Sequence, residues 1–209
     1  MSRLTKEQIR QYRMTFEQWQ SPRELLSRCE DLMSRMSGET LFSQSGLGFI
    51  REGWAAATFG ALRSAKTVRT VPERESWPDF EMCLQAKVEQ WELTEADVPG
   101  RRRGDEYRND PLVPGDRALG LDWPENYIAR IDSAPSALRS SCEAKAAKNY
   151  SSRAALLIYL NISDFGARHE ETIKIFPDAT LSAKDSFSEV WVLWKNQCYP
   201  IWKNGSQYA

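Results

Sequence analysis

Acidic and basic side chains are concentrated between residues 77 and 107. Pro78-Asp79 opens one short alternating segment, Glu92 lies inside the next, and three consecutive arginines begin at Arg101. Two converging carboxylates, with water and phosphate oxygens, form a site for a hard cation such as Mg²⁺ or Mn²⁺. A cation held by Asp79 and Glu92 would lower the pKa of bound water and stabilise charge on a phosphodiester. The predicted chemistry is therefore metal-dependent hydrolysis of nucleic acid.

Further carboxylates lie near the predicted pair. Glu52 is the one acid in the helix expected before these segments, where it either supplies a third carboxylate or is simply solvated. Glu95 and Asp97 form an alternative metal pair. The competing interpretation is that Glu95 and Asp97 pair with the arginines that follow them.

The arginine-rich segment predicts contact with nucleic acid. Guanidinium groups match phosphate oxygens in a two-pronged geometry, so a basic loop beside a carboxylate site suits a phosphodiester backbone. The candidate residues are Arg101, Arg102, Arg103 and Arg108. Asp105 and Glu106 lie within the same segment, so a salt-bridged loop is an equally open interpretation.

Hydrophobic patterning predicts the elements that position these groups. Residues 79–84 and 88–95 alternate in polarity, as half-buried strands do, and residues 85–87 connect them as a hairpin. Residues 154–162 form a continuous apolar run, which is typical of a central strand covered on both faces. Helical spacing covers residues 46–64 and 124–150, and Pro135 is expected to break the second segment into two helices. The order of elements predicts an α/β (α+β) fold with a mixed central β-sheet flanked by helices.

The first forty residues predict a helical extension ahead of an α/β domain at 41–209. Thr5 and Gln8 form a capping box, and Pro22 divides the segment into two amphipathic helices. These helices are expected either to pack against the domain or to form a surface for a protein partner or a homodimer.

This arrangement resembles the PD-(D/E)xK, or restriction-endonuclease-like, nuclease superfamily. The matching residues are Pro78-Asp79 and, across the hairpin, Glu92-Leu93-Thr94. A helix, a β-hairpin, a helix and an apolar strand also follow in the family's order, and the resemblance covers about Gly46 to Ile162. It implies a nuclease-like domain that binds Mg²⁺ or Mn²⁺ through Asp79 and Glu92.

The chain departs from the family at the last position of the motif, where the family has a lysine and this chain has Thr94. A neutral hydroxyl does not replace an ammonium, so the basic group is expected from another element: Lys145 or Lys148 on the following helix, or one of Arg101 to Arg103. Failing that, the alternative function is a catalytically inactive nuclease-fold protein that binds nucleic acid or a protein partner.

Composition narrows the classes of protein and of site that remain possible. The net charge of −1 does not mark the whole chain as nucleic-acid-binding, so a basic surface would be local. No apolar run reaches the roughly 18 residues of a membrane span. Four scattered cysteines and a polar N-terminus predict reduced thiols and a cytoplasmic location. The single histidine, His169, is expected at the surface and makes a zinc site improbable.

Overall fold

We describe a computed structural model, which covers residues 3–72, 78–101, 124–148, 150, 154–164, 166 and 168–208. Its strands form a mixed sheet in the order β1-β2-β3-β4-β5-β6-β7, and helices precede and flank it. The predicted α/β class is therefore confirmed. The chain divides into two compact units, with described residues up to Glu89 in the first and those from Gln90 in the second.

Capped helices begin the first unit. Helix α1 (Lys6–Phe16) starts at the predicted Thr5-Gln8 capping box, and α2 (Pro22–Ser34) starts at a second one formed by Ser21 and Glu24. Proline at the first helical position is favourable because its missing N–H would have no helical partner there. The short helix α3 (Gly38–Ser43) follows.

Helix α4 (Gly48–Leu62) is the apolar centre of the first unit. It packs against α2, and its small residues allow close approach. Gly53 shows how close: a Cβ there would lie 2.6 Å from Cδ1 of Phe16. The Phe16 ring is itself buried and set edge-on to Phe49 at 4.9 Å. The N-terminal helices therefore pack against α4, and the proposed 1–40 boundary stays a prediction.

Two antiparallel strands complete the first unit. Strand β1 (Thr67–Thr70) pairs with β2 (Phe80–Leu84), and the backbone of Gln20 bridges the other edge of β1 at Val68. Glu81, on β2, is largely buried and accepts a 2.7 Å hydrogen bond from Arg69. The alternating pattern places Glu81 on the polar face of β2. The ion pair with Arg69 compensates the charge of Glu81 where it is buried.

The hairpin turn between β2 and β3 (Lys87–Ala96) consists of Gln85 and Ala86. Both have positive φ, 45° and 67°, which fits the right-handed twist of the flanking strands. The predicted hairpin is confirmed, and its connection is two residues long.

Parallel strands form the middle of the sheet. Strand β4 (Ala155–Leu160) pairs in parallel with β3 on one side and with β5 (Glu189–Trp194) on the other. Five of its six residues are buried, which confirms the predicted central strand. Strand β6 (Gln197–Lys203) and the short β7 (Ser206–Gln207) continue the sheet in antiparallel fashion.

The second unit's helices connect and cover these strands. Helix α5 (Pro124–Asp132) and helix α6 (Ala134–Ala146) are separate, as Pro135 predicts, and α6 packs on β4. Two short helices, α7 (His169–Lys174) and α8 (Phe176–Ala179), lie between β4 and β5. No helix in the described part of the chain is long and apolar enough to cross a membrane.

Candidate functional site

The centre of the candidate site is a buried ion pair in the second unit. Lys145, near the end of α6, donates a 2.6 Å hydrogen bond from Nζ to Oε2 of Glu92 on β3. Their side chains are 13% and 2% exposed. The hydroxyl of Ser141, one turn earlier on α6, donates to the backbone carbonyl of Glu95, so the helix lies alongside β3.

The second oxygen of the Glu92 carboxylate has a different environment. Oε1 is buried and accepts no hydrogen bond within the described part of the chain. A buried carboxylate oxygen without a partner is energetically costly, because it has lost its hydration without compensation. Glu92 therefore keeps one oxygen on Lys145 and has acceptor capacity left for a ligand.

Tyr150 adjoins the same pair. Its ring centroid lies 6.0 Å from Nζ of Lys145. Burial, reinforced by the nearby Glu92 carboxylate, raises the pKa of Tyr150 to about 12. The phenol is therefore protonated at neutral pH. Nothing in the local sequence marks Tyr150 as a neighbour of this pair, because its position follows from tertiary packing.

The structure distinguishes the two candidate lysines. Lys145 lies in the last turn of α6 and contacts Glu92, whereas Lys148 lies beyond the helix end and is exposed. Thr94 is on β3 two residues after Glu92 and is half-buried. A basic side chain is thus supplied to Glu92 from the neighbouring helix.

The other predicted carboxylates belong to the first unit. Asp79 directly precedes β2 and Glu52 is on α4, and both are half-buried. Within the described ranges, no three His, Cys, Asp or Glu side chains are grouped so as to hold a metal ion. Convergence of Asp79 and Glu52 with Glu92 therefore stays a prediction.

The interpretation that Glu95 and Asp97 pair with the arginines that follow them holds in part. Asp97 Oδ1 accepts from Arg101 at 3.2 Å, and Glu95 accepts a 2.6 Å hydrogen bond from Asn161 at the end of β4. Arg101 is thus engaged by an acid of its own segment. Arg102, Arg103 and Arg108 lie outside the described residues, and their predicted contact with nucleic acid stays a prediction.

A second polar cluster joins residues far apart in the sequence. Asp164, whose side chain is fully buried, accepts a 2.6 Å hydrogen bond from Lys195, and its Oδ2 lies 3.4 Å from Nδ1 of His169. The imidazole stacks on Trp194 at 4.9 Å. Burial raises the pKa of Asp164, but hydrogen bonds from Lys195 and the Gly166 N–H hold it below its usual value. His169 is therefore packed against the protein and only partly exposed.

No protein-family model matches the chain, and comparisons with curated proteins and with solved structures gave no match. The resemblance to the PD-(D/E)xK superfamily therefore stays a prediction, and the functional argument rests on the geometry around Glu92.

Proposed function

We propose that the second unit carries a metal-dependent phosphodiesterase site, centred on Glu92 and Lys145, that cleaves nucleic acid. The observation that carries this proposal is the 2.6 Å contact between Nζ of Lys145 and Oε2 of Glu92. It supplies, from α6, the ammonium that is absent from Thr94. The proposal also draws on the resemblance of Pro78-Asp79 and Glu92-Leu93-Thr94 to the nuclease motif.

The carboxylate is compatible with a bound cation. Mg²⁺ is commonly held through one or two carboxylates together with water and substrate phosphates. Glu92 Oε1, buried and without a hydrogen bond among the described residues, is the oxygen that fits this role. Asp79 and Glu52 are the further ligands that the sequence predicts. A bound Mg²⁺ or Mn²⁺ would supply an activated water and charge stabilisation on the phosphate.

Lys145 has two tasks in this proposal. Its ammonium balances the charge of Glu92, which would otherwise be a costly isolated anion in the interior. Beside a bound phosphodiester, the positive charge of Lys145 would also stabilise the negative charge that develops during cleavage.

One observation favours the alternative function, a nuclease-fold protein that binds nucleic acid or a protein partner without cutting. No group of three metal-ligand side chains occurs in the described ranges. A site with too few ligands would retain the ion pair and bind a phosphate backbone through Lys145 alone.

The test is cleavage of labelled single-stranded and double-stranded DNA and RNA with Mg²⁺ or Mn²⁺. Wild type is compared with Glu92→Gln and with Glu143→Gln, which alters an exposed glutamate on the same helix as Lys145. Metal-dependent cleavage that is lost only in Glu92→Gln supports the proposal. Binding without cleavage by the wild type favours the alternative, and Asp79→Ala tests the ligand that the sequence predicts.

A further inference from the structure

His169, the first residue of α7, lies at the opposite end of β4 from the Glu92 site. Glu92 is paired with Leu156 at the start of that strand, whereas the residues around His169 include the segment that follows its end. The imidazole stacks on Trp194 of β5, with ring centroids 4.9 Å apart. The His169 side chain is 33% exposed, so protons from the solvent can reach it.

Each ring nitrogen of His169 faces an oxygen atom. Nδ1 lies 3.4 Å from Oδ2 of Asp164, whose side chain is fully buried, and Nε2 lies 3.4 Å from the hydroxyl oxygen of Tyr199. Burial raises the pKa of Tyr199, so this phenol is protonated at neutral pH, and it donates its proton to Oε1 of Gln197. A neutral imidazole has one N–H and can donate to only one of the two oxygens, whereas an imidazolium has two.

The two oxygens of the Asp164 carboxylate have different environments. Oδ1 accepts a 2.6 Å hydrogen bond from Lys195 and a 2.9 Å hydrogen bond from the backbone N–H of Gly166. Oδ2 and Nδ1 of His169 are both buried without a hydrogen-bond partner among the described residues. A buried acceptor without a donor is costly. Protons on both ring nitrogens would supply donors to Oδ2 and to the Tyr199 oxygen together.

The charged groups around the imidazole act in opposite directions. The Asp164 carboxylate favours the imidazolium, and the Lys195 ammonium opposes it. The Lys195 side chain is 36% exposed and is paired with Oδ1, so water and the carboxylate screen its charge. Glu170 and Glu171, which follow on α7, are exposed acids that favour a nearby cation weakly. The buried anion is therefore the strongest influence on the protonation of the ring.

We propose that His169 is a proton-operated switch: a proton taken up by its imidazole completes hydrogen bonds to Asp164 and Tyr199 and holds the start of α7 against β6 and the segment after β4. The unfolded chain lacks these bonds. The switch therefore adds stability below about pH 6.5, the ordinary pKa of an unfolded histidine, and this contribution is lost as pH rises. The inference does not depend on the proposed function.

Proton NMR tests the contacts of the ring directly. The chain contains one histidine, so tag-free protein gives a single imidazole Cε1–H signal, which is followed from about pH 5 to about pH 8.5. In Asp164→Asn the midpoint of this titration should fall by about one pH unit, because the facing anion is removed. Tyr199→Phe should shift it in the same direction by less. Tyr159→Phe removes a hydroxyl that donates to Asn161 instead, and it should match the wild type.

Urea unfolding tests the effect on stability. His169→Gln keeps a polar side chain that cannot take up a proton. The wild type and this variant share every other titrating group, so the difference between their urea midpoints isolates the switch. We expect a wider difference at about pH 5.5 than at about pH 8. Asp164 is still ionised at the lower value because its pKa is lowered in the folded protein.

The proposal predicts both results: a lower titration midpoint in Asp164→Asn and a wider stability difference at acid pH. The same titration midpoint in the wild type and in folded Asp164→Asn overturns it. A stability difference that is as wide or wider at about pH 8 overturns it as well. If circular dichroism shows that Asp164→Asn does not fold, Tyr199→Phe takes its place under the same criterion.

Discussion

Lys145 and Glu92, 53 residues apart in the sequence, form a buried ion pair in which Nζ lies 2.6 Å from Oε2. Burying two charges costs several kcal/mol per ion in lost hydration, and their attraction compensates for this only in good geometry. Such a pair is therefore weak evidence for stability on its own. The buried Oε1 of Glu92, which accepts no hydrogen bond within the described residues, is the oxygen that the proposed cation would use.

The ion pair should show strong energetic coupling. Lys145→Met leaves Glu92 as an uncompensated buried anion, so we expect a loss of about 3 kcal/mol in the free energy of unfolding. Adding Glu92→Gln removes the buried charge, and the double variant should recover much of that stability. Urea unfolding of both single variants and the double variant gives the coupling energy. Additive losses would contradict a direct interaction.

Close packing of α4 predicts opposite effects for two glycines on the same helix. In Gly53→Ala the new methyl would lie 2.6 Å and 2.7 Å from two ring carbons of Phe16, which is buried against Phe49. We expect a loss of about 1–3 kcal/mol from overpacking. In Gly60→Ala the nearest atom, on Pro22, is 3.4 Å away, so helix propensity should raise stability by up to about 1 kcal/mol. Thermal unfolding checks both, and equal shifts would refute the packing argument.

Asp164 predicts a pH-dependent contribution to stability. Its pKa is lowered in the folded state, so this contribution is present above the unfolded pKa and is lost as pH falls through the folded pKa. We expect Asp164→Asn to cost about 2 kcal/mol at pH 7. The difference from wild type should shrink below about pH 4, near the unfolded pKa. Urea unfolding across this range measures it, with the exposed Asp178→Asn as control; a difference independent of pH would contradict the account.

The hairpin turn predicts a stabilising substitution. Ala86 has φ of 67°, a conformation that costs an L-residue with a Cβ roughly 1–2 kcal/mol and glycine almost nothing. Ala86→Gly should therefore raise the melting temperature. The same change at exposed Ala61 on α4 should lower it, because glycine disfavours a helix interior by about 1 kcal/mol. A fall in both variants would argue against the turn conformation.

Local signals in the sequence predicted much of the fold. The capping box at Thr5 and the prolines at Pro22 and Pro135 locate helix starts, because each acts on the backbone within one turn. The apolar run at 154–162 likewise identifies β4. However, the turn at Asn204-Gly205 was not predicted. Both residues have positive φ and form the turn that leads into β7.

The site was harder to predict than the fold, because it is formed by contacts between residues that are distant in the sequence. The sequence identified Glu92 and named Lys145 among several basic candidates, but choosing Lys145 over Lys148 required the helix end and the register of α6 on β3. Asp164 and Lys195 are 31 residues apart and meet only once β4 and β5 are paired. The ring of Tyr150 comes within 6.0 Å of Nζ of Lys145 in the same way, through the fold.

The most direct test of the account compares Lys145→Met with Lys148→Met in metal-dependent cleavage of nucleic acid. The two lysines are three positions apart, but only Lys145 contacts Glu92 in the described structure. We predict that Lys145→Met lowers kcat by about 100-fold, as expected when a charge-stabilising donor is removed. Lys148→Met should stay within about twofold of wild type. The double variant Lys145→Met/Glu92→Gln, if folded, should be equally inactive. Full cleavage by folded Lys145→Met, or an equal loss in Lys148→Met, would contradict the central claim.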